Sequence, residues 1–241
     1  PEGHVSTSMY ASFEVKTPSE GLQPFADGLR VAVWTTTPWT IPANLAVAVN
    51  AKLEYAVVKH GDVKLVVAKD LVGSLASKLQ GPEDEAAPEL EVLATLTGAE
   101  LEGTEYKHPF YDRLSQIVLG GDYITTESGT GLVHTAPGHG AEDYMTGLKY
   151  GLPLLSPVDD AGRFTEEAGP DLVGKNVLSD GNTACLEKME AAGALLKAEP
   201  YGHKYPYDWR TKKPTIFRAT DQWFASVENF RDAAMQVCVC V

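Results

Sequence analysis

Apolar and polar residues alternate through Met9-Tyr-Ala-Ser-Phe-Glu-Val-Lys16, the period of a half-buried strand. Residues 29–35 are nearly all apolar instead, which predicts a strand buried on both faces. Pro38 and Pro42 interrupt that run and predict an irregular loop over 36–44. Strand pattern resumes at 45–49, and residues 53–59 and 63–67 flank His60-Gly-Asp62 as a hairpin. Residues 70–79 predict a short helix with Asp70 at its positive end. After an acidic linker, Gly81-Pro-Glu-Asp-Glu85, further strands are expected at 90–96, 115–119, 131–135 and 152–158. Helices are expected at 141–150, closed by Gly151, and at 182–192, closed by Gly193. Residues 159–164 form a turn with Gly162 at its tight position. From Leu195 the pattern reads strand, turn, strand.

Many short strands with a few interspersed helices predict a β-rich α/β fold. Its core is a closed or nearly closed β-barrel with peripheral helices, in one domain over 1–241. With 241 residues, 44% of them hydrophobic, the chain can bury one sizeable core. Pro1-Glu-Gly-His4 does not read as a signal peptide, and no run is apolar enough to span a bilayer. The start and the β-prone Val237-Cys-Val-Cys-Val241 read as the edges of an excised piece. Cys185, Cys238 and Cys240 make neither a C-x-x-C pair nor an even framework. A reducing intracellular compartment, cytoplasmic or organellar, is therefore expected.

A net charge of −13 argues against a general nucleic-acid binder. Basic residues nevertheless gather between Lys204 and Arg218, mixed with aromatics. A solvated segment and a contact for an RNA end fit that cluster equally well.

Two segments carry candidate chemistry. Trp34-Thr-Thr-Thr-Pro-Trp-Thr-Ile-Pro-Ala-Asn44 ends an apolar strand in three hydroxyls. Thr is β-prone, so a strand end with satisfied hydroxyls is the plain alternative. The chemical reading is a pocket wall in which hydroxyls bind a ribose or orient a water and Trp39 closes one side. Gly129-Thr-Gly-Leu-Val-His-Thr-Ala-Pro-Gly-His-Gly-Ala-Glu-Asp-Tyr144 runs from a strand ending at His134, through a Pro-Gly bend, into a helix. Asp143 in its first turn is a fixed anion suited to an ammonium group. His134, His139 and Asp143 also raise a metal-dependent hydrolase, although their spacing matches no zinc pattern. The chain carries no nucleophile elbow, P-loop or dinucleotide fingerprint, and neither H-I-G-H nor K-M-S-K-S.

Read together, the two segments resemble the editing insertion of class I isoleucyl-tRNA synthetases. Trp209-Arg-Thr-Lys-Lys-Pro-Thr-Ile-Phe-Arg-Ala-Thr-Asp-Gln-Trp-Phe224 resembles the strand leading back to the synthetase body. Valyl and leucyl relatives usually carry T-T-R-P where Thr35-Thr-Thr-Pro38 stands here, and lack His at the place of His134. The resemblance implies hydrolysis of valine wrongly attached to the isoleucine tRNA, without aminoacylation by this segment. A non-catalytic tRNA-end-binding module is the alternative within that resemblance. The resemblance to the editing insertion implies that Thr35, Thr36, Thr37, His134 and Asp143 are catalytic. The threonines would face the terminal ribose and the attacking water, His134 would limit side-chain size, and Asp143 would hold the α-amino group. Trp39, Thr40, Asn44, Thr135 and Ala136 would contact the substrate. The implied partners are the tRNA 3′ end carrying valine and the rest of the synthetase, with residues 1–16 and 200–241 near the junction strands. No metal and no cofactor are expected in this domain, ATP belonging to the synthetase body alone.

Overall fold

A computed structural model describes residues 3–81 and 86–239. Residues 82–85 of the acidic linker, and Cys240 with Val241, lie outside the described residues. The long strand β1 (His4–Thr17) organises the sheet. Its middle pairs antiparallel with β2 (Leu29–Thr35), from Met9↔Thr35 to Glu14↔Arg30. Its far end pairs with β7 (Glu105–Lys107) through Val15↔Tyr106. β7 pairs with β8 (Leu114–Leu119), and β8 runs parallel to β3 (Ala46–Val49). β3 is antiparallel to β9 (Val133–Thr135), and β9 returns to β2 through Trp34↔Val133. The circuit closes on β1, so six strands form a barrel without free edges. Outside it, β10 (Leu195–His203) lies along the first half of β1. A second extension from β2 runs through β5 (Val63–Ala68) and β4 (Glu54–His60) to β6 (Glu91–Thr97).

The barrel closes because its inward positions are apolar. Met9, Phe13, Val31, Val33, Val47, Tyr106 and Ile117 share one buried core. Each such side chain contributes about 1.5–3 kcal/mol relative to exposure. A second, smaller core gathers Val158, Phe164, Leu172, Val177 and Cys185 around Trp39. It joins the segment after α3 (Ala141–Tyr150) to the barrel mouth.

Several elements depart from the sequence pattern. The expected loop at 36–44 is a 3-10 helix, Pro38–Ala43, with every residue buried. Two prolines end a strand but are compatible with a tight helical turn. No strand forms at 152–158 among the described residues beyond the bridge Val158↔Phe164. Pro153 and Pro157 lack donors, and Leu155 and Val158 bond locally to Pro153 and Ser156 carbonyls. The segment expected to be a strand at 209–224 contains only the bridge Tyr207↔Pro214 nearby. Residues 237–239 of the β-prone tail lie instead on a helix, α5 (Glu228–Val239). A 3-10 turn at Glu20–Phe25, strand β7, and α2 (Gly98–Leu101) were not marked by periodicity. The last is announced by a capping box in which Thr97 and Glu100 bond reciprocally. The expected helix at 70–79 begins as a 3-10 turn, Lys69–Leu71, before α1 (Val72–Leu79). The helix expected at 182–192 is α4 (Asp180–Ala191).

Candidate functional site

The end of β2, the turn 38–43 and β9 meet at one end of the barrel. Thr35 is the last residue of β2, and its hydroxyl accepts from the Thr37 amide at 3.1 Å. The Thr37 hydroxyl lies 3.2 Å from that of Thr35 and 3.4 Å from that of Thr40. Thr40 in turn donates to the Thr37 carbonyl at 2.8 Å. This is a turn stitched by its own hydroxyls, the use of Thr expected where the chain leaves a strand. Trp39 enters the second core, and its amide donates to Asn182 Oδ1 of α4 at 3.1 Å.

Thr36, Thr37 and Trp39 line one side of a cavity of about 200 Å³. His4 to Thr7 of β1, Tyr205 and Pro214, and Val177, Leu178 and Asn182 complete it. Hydroxyls, an indole and two rings of half-buried aromatic character therefore face one space, a mixture suited to a ribose or a base. Thr40 and Asn44, expected to contact the substrate, are buried beneath it, at 5% and 0% exposure. Thr135 and Ala136, expected to contact substrate, are likewise buried.

His134 lies behind Thr40 rather than among the residues lining that cavity. Its Nε2 is 2.9 Å from Thr40 Oγ1, and its Nδ1 is 2.8 Å from Asn44 Nδ2. The orientation of the Asn44 amide follows from its neighbours. Nδ2 donates to the Ala46 carbonyl at 3.0 Å, and Oδ1 accepts from the Tyr106 phenol at 2.7 Å. Nδ2 therefore donates to His134 Nδ1, the imidazole proton sits on Nε2, and Nε2–H donates to Thr40. Burial, with smaller contributions from His139 and Arg113, pushes the His134 imidazole down to about 3. It is a neutral, fully engaged donor at neutral pH.

Asp143 stands in the first turn of α3, after Gly140. Its Oδ2 accepts from the Ala136 amide at 3.0 Å, folding the carboxylate back over the bend that follows β9. Burial pushes its carboxyl up to about 6, against the lowering effect of the Ala136 bond. The bend needs glycine at 138, where a Cβ would stand 2.2 Å from the Leu155 carbonyl oxygen. His139 packs edge-on against Trp39 at 5.2 Å, and its Nδ1–H donates to the Phe217 carbonyl at 2.9 Å. A second cavity of about 360 Å³ opens on the other side of this contact, lined by Pro137 to Ala141, Tyr144 and Phe217 to Thr220. The pair Trp39–His139 thus separates a hydroxyl-lined space from one beside the Asp143 bend.

The three residues named for the metal alternative do not converge. Both His134 nitrogens are committed and Asp143 bonds Ala136, while His139 donates Nδ1–H to a carbonyl and keeps a buried, unpartnered Nε2. Among the described residues no group of three or more His, Cys, Asp or Glu converges on a point. The sequence reading also overlooked the hairpin that grips the 38–43 turn from below. His108 Nε2–H donates to the Ile41 carbonyl at 2.9 Å, and Arg113 donates to the Pro42 carbonyl at 2.8 Å. Tyr106 reaches Asn44 from the same hairpin. Their one sequence signal is polar residues interleaved with apolar ones over 104–115, a pattern too short to separate from surface strand.

Over its whole length the chain is 59% identical to an isoleucine–tRNA ligase of Nostoc punctiforme, matching 25% of that protein. It is 59% identical to the isoleucine–tRNA ligase of a Synechococcus strain, over 98% of this chain and 24% of the relative. The corresponding protein of Gloeothece citriformis is 58% identical over 98% of the chain. The chain spans about a quarter of the length of these curated relatives. No protein-family model matches it. Among solved structures, GlLeuRS-CP1 superposes with a TM-score of 0.56 at 13% identity, over 81% of this chain and 99% of that one. At that identity the likeness is one of fold alone: the barrel is shared with GlLeuRS-CP1.

Proposed function

As a segment that belongs to the isoleucine–tRNA ligase family, with the fold of a CP1 editing domain, this chain, we propose, hydrolyses valine wrongly esterified to the isoleucine tRNA. The observation that carries the reading is the hydroxyl wall of Thr36 and Thr37 beside Trp39, with His139 edge-on to Trp39 and the half-buried Asp143, which lines neither cavity, folded onto the Ala136 amide of the same bend. The tRNA 3′ end carrying valine is the proposed ligand, and the rest of the synthetase the proposed partner. Thr36, Thr37 and Trp39 take the terminal ribose and the attacking water; Asp143, ionised, takes the α-ammonium of the amino acid. Thr35, Thr40, Asn44, Thr135, Ala136 and His134 shape and hold that wall from behind.

The chemistry asks little of such a site. An aminoacyl ester is already activated, so positioning a water and neutralising the developing oxyanion suffice. The need for a second site follows from a general limit. One methylene in an apolar pocket is worth only about 1–3 kcal/mol, and isoleucine against valine is itself the standard illustration of it. A hydrolytic site smaller than the one that activates isoleucine can refuse isoleucine and accept valine. The reading is tested by incubating the chain, in the presence of EDTA, with valyl- and isoleucyl-esters of the isoleucine tRNA. Faster release of valine supports it. Release abolished by EDTA and restored by zinc contradicts it.

A further inference from the structure

The basic, aromatic-rich stretch after Lys204 takes no part in the ester site, yet it adjoins it. Tyr205 and Pro214 line the cavity of the hydroxyl wall, and the bridge Tyr207↔Pro214 closes a short hairpin directly beyond them. The base of this hairpin is anchored on β1. The Tyr207 phenol lies 2.9 Å from His4 Nδ1, and the His4 ring stacks on Tyr205 at 4.5 Å. The tip, 208–213, is a closed turn. The Asp208 amide donates to the Lys213 carbonyl and the Lys212 amide to the Asp208 carbonyl, both at 2.9 Å. Asp208 Oδ2 accepts from the Thr211 amide at 2.7 Å, the local bond by which Asp stabilises a turn.

The side chains left outside this turn are of one kind. Trp209, Arg210, Lys212 and Lys213 are all exposed, Trp209 at 72%. The Arg210 guanidinium stands over the Trp209 ring at 4.7 Å. Among the described residues no carboxylate forms an ion pair with Arg210, Lys212 or Lys213. Lys212 has a φ of 57°, the one positive φ outside glycine among the described residues. Glycine or asparagine takes that conformation more easily, so backbone geometry gives no reason for lysine there. A chain of net charge −13 repels a polyanion as a whole, and three unpaired cations on one turn mark where it attracts one. An exposed indole beside cations is the combination that stacks an unpaired base and neutralises its phosphates.

We propose that the turn 208–213 grips the single-stranded RNA that leads into the hydroxyl-walled cavity, with Arg210, Lys212 and Lys213 on its phosphates and Trp209 against a base. The proposal rests on the ester-hydrolysis reading for the identity of that RNA, the nucleotides just before the esterified one. Lys213 directly precedes Pro214 on the cavity wall, so a strand whose last ribose sits by Thr36 and Thr37 passes this turn on leaving. A protein surface, that of the rest of the synthetase, is the other occupant to consider. Lysine is depleted at protein interfaces, and the turn offers no aliphatic side chain, so the cations favour RNA.

The experiment measures binding of uncharged isoleucine tRNA to this chain at salt concentrations from about 50 to 200 mM. The test variant combines Arg210→Gln, Lys212→Asn and Lys213→Gln; all three sites are exposed, and asparagine accepts the backbone of residue 212. Its affinity should fall by about 10- to 100-fold, and the slope of log affinity against log salt should become shallower by about 2, for three lost contacts to a single strand. Trp209→Ala should bind about 5- to 150-fold more weakly at an unchanged slope, since stacking releases no counterion. The control combines Lys52→Gln, Lys59→Gln and Lys69→Gln, exposed lysines on and around β4 that change the net charge equally, and should bind as the wild type does. Wild-type affinity and slope in the Arg210, Lys212 and Lys213 variant overturn the proposal and leave the turn to the rest of the synthetase. An equal loss in the control overturns it too, because overall charge then explains the effect, as does a wild type that binds no tRNA. If the wild type hydrolyses neither ester while the turn variants lose affinity as expected, the ester-hydrolysis reading fails and the RNA contact stands.

Discussion

Asp143 is the residue whose chemistry is most exposed to test. Its carboxyl is pushed up to about 6 by burial, so the folded protein holds a proton there that the unfolded chain has released above the ordinary value of 3.8. Between those values the unfolded state binds fewer protons, and stability from this group therefore falls as pH rises, the deficit being complete above about 6. Asp143→Asn keeps an oxygen for the Ala136 amide and removes the charge. The variant should melt level with wild type near pH 4 and higher than it at pH 7.5. It should also lose valyl-tRNA hydrolysis by about 10- to 150-fold, the worth of a charge-assisted contact. Thermal melts at the two pH values and single-turnover assays check both halves. For the same reason, wild-type hydrolysis should rise with pH through about 6. His134 gives a contrasting expectation. On the proposed reading, in which His134 supports Thr40 from behind the cavity wall, His134→Ala should slow valyl- and isoleucyl-ester hydrolysis in the same proportion. A change in the ratio of the two rates would restore the gate.

At the scale of elements, the 38–43 turn decides the site, and it is held by a hairpin rather than by its own propensity. His108 satisfies three backbone groups: it donates to the Ile41 carbonyl and accepts from the Phe110 and Tyr111 amides. His108→Ala should cost about 3 kcal/mol through the orphaned groups, lowering the melting temperature by roughly 6–12 °C for a chain of this size. Differential scanning calorimetry checks it. The elements legible in sequence were those with local causes. The apolar run of β2, the turn at Gly61, and the α3 stop at Gly151 in a left-handed conformation were all readable. The turn at 38–43 was not, because prolines mark an interruption without saying whether a loop or a 3-10 helix follows. Residues 152–158 looked like a strand by composition, and Pro153 and Pro157 were the overlooked objection. Likewise, the sequence motif brought out His134 and Asn44 but not their engagement with each other, since 90 residues separate them.

The whole molecule is a closed barrel whose buried histidines respond to acid. Burial holds both His108 and His134 at about 3, below their ordinary 6.5. Between those values the unfolded chain binds more protons, so stability from these groups is full above 6.5 and is lost as pH falls towards 3. Two histidines outweigh the single opposing Asp143, and each net proton is worth about 1.4 kcal/mol per pH unit. Urea midpoints should therefore fall steadily from pH 6.5 to pH 4, and the fall should be shallower in His108→Ala. A closed or nearly closed barrel was legible from strand count and spacing; the sheet extensions through β10 and through β5, β4 and β6 were not. The tail was not: a β-prone composition there lies on α5, whose residues up to Val237 are exposed.

The central claim is that the hydroxyl wall, Trp39 and Asp143 form a site that hydrolyses the valyl ester and refuses the isoleucyl one. The most direct measurement is single-turnover deacylation of valyl- and isoleucyl-tRNA, both on the isoleucine tRNA, by this chain at pH 7.5. The account predicts that valine is released faster by about 5- to 150-fold, the discrimination available from 1–3 kcal/mol of steric difference. Equal rates for the two esters, or no release above the spontaneous rate, would contradict it.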